Sequence, residues 1–403
     1  MNIAVVGPIL TENIVAFLND GHGNLPPGYS GAPLMSTLIG ELLKRGHHVS
    51  AFTTSSGIGL GDQYLVTAAG KNFLITYCGE RPHAFRPKHG YLGRANDFFA
   101  LERSCLQKAI VRAKPDIVHA HWSYEFGLAA IETGLPHVIT CHDVPHLVLK
   151  YMPNLYRLMR YWMARQCLAK ASVVTAVSPY LQAEIQSYCS VSVNVVPNPL
   201  PVAVFAEEKR RSEFSQTSRN PTVVMVMNGW GKLKNPKPAL QAFHILRSKI
   251  PTAELHLYGI DYGPGEQAEL WARNEGISDG INFIGRTLHK ILFQKLRNAD
   301  ILLHPSLLEG CPMGVAEAMA LGLPVVGGAS SGGVPWVVGN GGILTDVTSP
   351  SAMAAALYDI LVNKDSYAHY AHDASVRAQQ MFSVEAVTDL YEKEYQRALR
   401  YFE

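Results

Sequence analysis

Residues 299–328 read ADILLHPSLLEGCPMGVAEAMALGLPVVGG. The aliphatic run 299–305 predicts a buried strand, then a loop, a short helix stopped at Gly322, and a second buried strand over 324–328. In an open parallel sheet, loops at the carboxyl ends of strands line the ligand crevice. The helix opens at 312–314, so its unpaired N–H groups and positive dipole end form an anion site. Proline and glycine keep side chains out of an approaching phosphate's way. Glu309 in the loop and Glu317 inside the helix stand eight positions apart. Glu317 is placed to accept hydrogen bonds from a ribose diol, and Glu309 to reach whatever lies beyond the phosphates. A helix opening after Gly-Pro is also ordinary α/β connectivity, and glutamates in such places are often solvated or capping. Taken together, a diphosphate cradle between two acceptors for polyols reads as a nucleotide-sugar site.

The pattern E-G-x-P-x-G-x-x-E-A-M-A-x-G-x-P-V-V resembles the donor motif of the family 4 glycosyltransferases, which have the GT-B fold. The resemblance runs along nearly the whole chain. PPGYSGAPLMSTLIGELLKRGHHVSAFTT resembles the family's glycine-rich loop, first helix and second strand, and PDIVHAHW, VITCHD, VVTAVSPY and VVPNPLP follow in the family's order. It implies an α/β protein of two Rossmann-like, doubly wound domains facing a central cleft.

Length and composition agree with that expectation. A chain of 403 residues exceeds one ordinary core and suggests two domains of roughly 150–200 residues. Hydrophobic residues make up 47%, charged residues 17%, and the formal net charge of +2 gives no sign of a nucleic-acid partner. The six cysteines lack metal-like spacing and read as buried thiols of a reducing compartment. MNIAVVGPIL reads as a first strand rather than a secretory signal. No apolar run reaches the roughly 18 residues of a membrane span. The expected location is the cytoplasm, with peripheral contact at the inner membrane surface as a further reading.

Short β-branched runs alternate with helical patterns: MNIAVVGP, HHVSAFTT, NFLITYCG, PDIVHAH, HVITCHD and SVVTAVS, then TVVMVMNG, ELHLYG, INFIG, ADILLHP and PVVGG. This is the βαβ signature of parallel sheets. The expected division is an N-terminal, acceptor-binding domain over 1–203, a charged linker over 204–220, and a C-terminal, nucleotide-sugar-binding domain over 221–383. An amphipathic helix over 384–403 carries Val387, Leu390, Tyr391 and Tyr395 at helical spacing, and the resemblance implies that it packs back on the first domain.

In the second domain the resemblance puts Lys234 against the donor diphosphate, where a fixed ammonium stabilises the charge growing on the departing group. The family's companion arginine falls at Gly229, and Lys232 or Arg286 are its candidate replacements. Ile284 and Arg286, around the end of INFIG, are expected on the base side. Gly310, Cys311, Pro312, Met313, Gly314 and Val315 complete the expected donor contacts. The loop 331–333 extends the crevice, and Trp336 stands where the family often has a glutamate.

In the first domain His119 and His121 alternate along PDIVHAH, with His121 at the strand's carboxyl end. The resemblance assigns His121 to the donor sugar near the reaction centre. His142 and Asp143, ending HVITCHD, are cleft candidates, as are Ser30 and Gly31 in the long loop after the first strand, with Gly28 beside them. A zinc reading of the histidines fails for want of a third ligand and a recognisable framing. Segment 147–171 mixes Lys150, Arg157, Arg160 and Arg165 with Tyr151, Tyr156, Tyr161 and Trp162. It reads either as a core helix with a basic exterior or as a membrane-surface helix.

The expected function is retaining, metal-independent transfer of a hexose or related sugar from a UDP-, GDP- or ADP-linked donor to an acceptor hydroxyl, with no cofactor. Glu309, Lys234 and His121 carry the chemistry in that expectation, in the making of a glycan, glycolipid or glycosylated natural product. Two alternatives stand beside it: a nucleotide-sugar epimerase, and a non-catalytic nucleotide-sugar-binding subunit.

Overall fold

The computed structural model describes all residues except His22, Ser30, Gly31, Pro33, His89 and 207–219. The expected contacts of Ser30 and Gly31, and most of the expected linker, therefore lie outside the described residues. The chain forms two compact units, one of Met1–Pro199 with Val384–Glu403, the other of Leu200–Ser383.

Among the described residues the first unit holds eight strands: β1 (Asn2–Val6), β2 (His48–Ser55), β3 (Val66–Gly70), β4 (Phe73–Gly79), β5 (Ile117–His121), β6 (His137–Cys141), β7 (Val174–Ala176) and β8 (Val193–Val195). Their order is β3-β4-β2-β1-β5-β6-β7-β8, parallel except for the antiparallel pair β3–β4. β5 and β6 are buried along their whole length, as sheets covered on both faces require. The C-terminal helix Val384–Phe402 belongs to this unit, with Val387, Tyr391, Tyr395 and Ala398 fully buried. Arg45, just past helix Leu34–Lys44, ties its outer face to that helix, reaching Asp389 at 2.6 Å and Glu392 at 3.0 Å.

The second unit holds β9 (Thr222–Val226), β10 (Glu254–Tyr258), β11 (Ile281–Gly285), β12 (Ile301–His304), β13 (Val325–Gly328) and β14 (Gly342–Thr345). All are parallel, in the order β11-β10-β9-β12-β13-β14. That is the doubly wound arrangement, and its strand order reverses between β9 and β12. The unit begins earlier than the sequence suggests. Leu200 and Val204 are buried in its core, and the Leu200 N–H donates to Phe382 O at 2.7 Å. A short helix, Val202–Ala206, stands where the linker was expected to start.

Three strands escaped the sequence reading: β3, β8 and β14. Each is short, and β3 and β14 are largely half-exposed, so their apolar content is low. Segment 147–171 is two helices, Pro145–Tyr151 and Leu155–Lys170, separated by a break containing Pro153. Asn154 caps the second, its side chain accepting from the Arg157 N–H at 2.9 Å.

Candidate functional site

The strand-order reversal of the second unit carries a cavity of about 680 Å³. It is lined from four directions: Met227, Asn228 and Lys234 after β9, Tyr258 and Gly259 at the end of β10, Arg286–His289 after β11, and His304, Glu309 and the helix that follows after β12. An open α/β sheet binds ligand at such a place because two loops diverge there and leave a crevice.

Lys234 ends a short 3-10 helix, Lys232–Lys234. The next residue, Asn235, bonds Pro305 O at 3.1 Å and Val347 O at 2.7 Å through its side-chain amide, fastening this loop to the end of β12. The Lys234 ammonium meets Glu309 Oε1 at 2.5 Å, and His304 Nε2 lies 3.7 Å from the same oxygen. Burial alone would raise the Glu309 pKa. The His304 ring and the Lys234 charge outweigh it and hold the carboxyl at about 2. The Glu309 carbonyl accepts from the Gly333 N–H at 2.8 Å, which places the 331–333 loop beside the Glu309 loop.

Helix Met313–Ala320 starts after Pro312. Its end at Gly322 is a Schellman closure: Leu323 N–H bonds Ala318 O at 3.0 Å, Gly322 N–H bonds Met319 O at 2.9 Å, and Gly322 has φ +77°. At the opening, the N–H groups of Val315 and Ala316 are taken by Pro312 O. The N–H groups of Met313 and Gly314 have no partner among the described residues, and both residues line the cavity. The amides open to a ligand at this helix start are thereby narrowed to these two. Val315, expected among the donor contacts, is a core residue with no exposed surface. Gly310 and Cys311 lie outside the cavity lining.

Glu317 faces the cavity, where its carboxylate is 3.0 Å from His289 Nε2. That hydrogen bond raises the His289 pKa above its ordinary value. The His289 ring also meets Phe293 edge-on, with centroids 4.4 Å apart. Arg286 lines the cavity, whereas Ile284 and the exposed Lys232 do not. Gly229 has φ +92°, its N–H donates to Ile260 O at 3.1 Å, and its carbonyl accepts from Tyr262 OH at 3.1 Å. An arginine at this backbone conformation would be strained, so the cavity's second cation is Arg286. Trp336 packs edge-on against Phe382 at 5.9 Å and is absent from the lining.

In the first unit His121 and His142 meet at the carboxyl ends of β5 and β6, His121 Nδ1 lying 2.9 Å from His142 Nε2. His121 is buried and its Nε2 has no partner among the described residues. Burial, reinforced by the neighbouring His119 and His142, pushes its pKa well below the ordinary value. Burial takes His142 down to about 4. His119, the other histidine of the strand, is structural: it bonds Tyr395 OH at 2.9 Å and Thr140 Oγ1 at 2.8 Å. Asp143 accepts from Tyr124 OH at 2.8 and 2.9 Å, and burial raises its pKa. Below the Tyr124 ring, 3.7 Å from its centre, sits the Arg160 guanidinium, paired with Glu125 at 2.9 Å. Gly28 lies in a bridge to Leu10, and its N–H is used by Ser55 Oγ at 3.2 Å. Among the described residues no three metal-ligating side chains converge.

Two cavity histidines went unread in the sequence. His304 ends β12 just as His121 ends β5, so the same strand-end signal marks it. His289 opens an amphipathic helix, His289–Leu296, and no spacing ties it to Glu317.

Two parallel Rossmann-like units, one with unpaired helix amides and flanking cations at its switch point, define a GT-B protein. The chain matches the models of two families, Glycosyltransferase Family 4 over residues 34–204 and Glycosyl transferases group 1 over residues 207–377. It belongs to the family 4 glycosyltransferases of the GT-B fold. It is similar to a D-inositol 3-phosphate glycosyltransferase of Corynebacterium jeikeium, 31% identical over 199 residues, 47% of each chain. The matched stretch thus spans about half of that relative. Among solved structures, the fold is like that of sucrose-phosphate synthase from Thermosynechococcus elongatus, with a TM-score of 0.71, 17% identity and 99% of both chains covered. It is also like that of HepE from Anabaena in complex with UDP, with a TM-score of 0.66, 16% identity and 98% and 99% of the chains covered.

Proposed function

We propose that the chain transfers a sugar from a nucleoside diphosphate to an acceptor hydroxyl with retention of anomeric configuration and without a metal ion. The observation that carries this reading is the convergence of Lys234, Arg286, two unpaired helix amides, Glu309 and Glu317 on one cavity. The cations and amides suit a diphosphate, and the carboxylates suit the polyols on either side of it. That a protein of similar fold, HepE, was solved with UDP supports a nucleotide ligand.

In this reading Glu317 accepts from the ribose diol, exchanging or sharing its bond to His289. Met313 and Gly314 N–H groups and the Lys234 ammonium receive the charge that develops as the anomeric carbon–phosphate oxygen bond breaks. Arg286 takes the position's second charge. Glu309, ionised through the working pH range, orients the sugar and keeps the lysine aimed. The acceptor oxygen bonds to the anomeric carbon on the face the phosphate leaves, and its proton passes to the departing diphosphate oxygen. In the first unit His121, held neutral by burial, keeps an Nε2 with no partner among the described residues, which suits a ligand hydroxyl.

A thermal-shift screen of UDP-, GDP- and ADP-sugars tests the binding half. A donor at a hundred times its dissociation constant adds about 2.7 kcal/mol of stability. Incubation with donor in the presence and absence of acceptors then tests transfer. Consumption of donor into an isomer without acceptor overturns the transfer reading in favour of an epimerase. Binding with no turnover on any acceptor would leave a binding subunit.

A further inference from the structure

Helix Leu155–Lys170 is apolar on two sides. Its inner side buries Met159, Met163, Ala164, Cys167 and Leu168 in the first unit. On its outer side stand Leu155, Leu158 and Trp162, spaced as one helical stripe and 65%, 41% and 53% exposed. Tyr151 and Met152, close to half exposed, extend the stripe beyond the helix start. Scattered exposed apolar residues are ordinary, but a contiguous apolar stripe marks a surface that meets something.

Charge says what it meets. From Val144 to Ala171 the chain contains no aspartate or glutamate, while Lys150, Arg157, Arg165 and Lys170 flank the stripe. A second acid-free stretch, from Arg81 to Asn96, comes alongside where the Phe85 ring stands 6.4 Å from the Tyr156 ring. It presents Phe85, Tyr91 and Leu92 to solvent together with Arg86 and Lys88. Acids near the helix are already engaged: Glu184 with His146 at 3.1 Å, and Glu132 with Arg103 at 2.6 Å. Protein interface cores are poor in lysine, whereas an anionic headgroup layer receives lysine and arginine around an inserted apolar strip. Tryptophan and tyrosine suit that boundary, with an apolar body and a polar edge.

We propose that this face, with Leu155, Leu158 and Trp162 at its centre, docks the protein on an anionic lipid bilayer. The apolar stripe enters the headgroup boundary and the basic side chains reach the lipid phosphates around it.

The test is co-sedimentation of the full chain with vesicles of phosphatidylcholine alone or mixed with phosphatidylglycerol. The expected result is binding to the anionic vesicles at least about tenfold tighter than to the neutral ones, weakening as salt is added. Trp162 fluorescence should shift to the blue on binding, and Trp162→Phe should remove that shift. The triple variant Leu155→Ser, Leu158→Ser, Trp162→Ser should lose about tenfold or more of the affinity. Arg157→Gln with Arg165→Gln, which leaves the stripe intact, should abolish the preference for anionic lipid. Failure of the wild type to bind, equal binding to both vesicle types, or unchanged binding by the double arginine variant overturns the proposal. So does a stable dimer that buries Trp162 without vesicles. None of these readouts depends on nucleotide or transfer.

Discussion

Lys234 Nζ and Glu309 Oε1 lie 2.5 Å apart, although the loops that carry them leave different strands of the sheet. The contact exists because β9 and β12 are neighbours at the strand-order reversal, and their loops diverge over one crevice. In the proposed function it joins the cation assigned to the diphosphate to the carboxylate assigned to the sugar. Lys234→Met should therefore lower kcat by about 10²–10³-fold, the cost of deleting one preorganised charge donor. It should also release the Glu309 carboxyl toward its ordinary pKa. Steady-state kinetics across pH check both. An unchanged kcat would remove Lys234 from the reaction.

The same pair sets a pH signature for folding. The folded pKa of Glu309, about 2, lies below its ordinary value of 4.5. Its contribution to stability is thus present above pH 4.5 and is lost as pH falls toward 2. His289 works in the opposite sense, since its hydrogen bond to Glu317 raises its pKa above 6.5. That contribution is present below pH 6.5 and is lost as pH rises through the raised value. In the proposed function His289 competes with a ribose for Glu317, so nucleotide affinity should rise from pH 6 to pH 8. The rise should vanish in His289→Ala, and Glu317→Ala should bind nucleotide about tenfold more weakly at either pH. Calorimetric titration of the nucleotide reads all three.

The residues that were legible in the sequence are those whose role is local. The Glu309–Gly322 pattern gives its loop, helix start and helix stop through proline, glycine and periodicity, all of which act within a turn or two. The buried parallel strands announce themselves as aliphatic runs. What remained hidden depends on long-range placement. His289 meets Glu317 only because β11 and β12 deliver their loops to one crevice. The outer stripe of helix Leu155–Lys170 shares its letters with the core stripe, and burial alone separates Trp162 from Met163. β3 and β14 fail for a different reason: half-exposed and short, they carry too little apolar signal to stand out.

Gly229 and Arg286 make a paired prediction. With φ +92° at Gly229, a side chain is conformationally strained even though the space beside it is open. Gly229→Arg should cost about 1–3 kcal/mol of stability, read as a drop in Tm, without improving donor binding. Arg286→Ala should leave Tm close to that of the wild type, because Arg286 is exposed at the cavity rim. Its donor affinity should fall by about tenfold or more, in keeping with a charge-assisted bond to phosphate. A Gly229→Arg variant that restores donor affinity to Arg286→Ala would show that the strained backbone position still serves the diphosphate.

His304 separates stability from function most sharply. Its Nε2 is buried without a hydrogen-bond partner among the described residues, yet the ring lines the cavity 3.7 Å from Glu309. A buried polar atom left unsatisfied costs about 1–3 kcal/mol, so replacement by a similarly sized apolar group should not destabilise the fold. His304→Leu should keep Tm close to that of the wild type, the relieved cost of the unpaired nitrogen offsetting the stability lost as the Glu309 pKa climbs. If the unpaired nitrogen serves a donor oxygen and helps hold Glu309 ionised, the same variant loses turnover, and its acid limb moves up in pH as the Glu309 pKa climbs. A variant with lowered Tm and an unaltered pH–rate profile would make His304 an ordinary packing residue. The combination of retained stability and a shifted acid limb is one that packing does not produce.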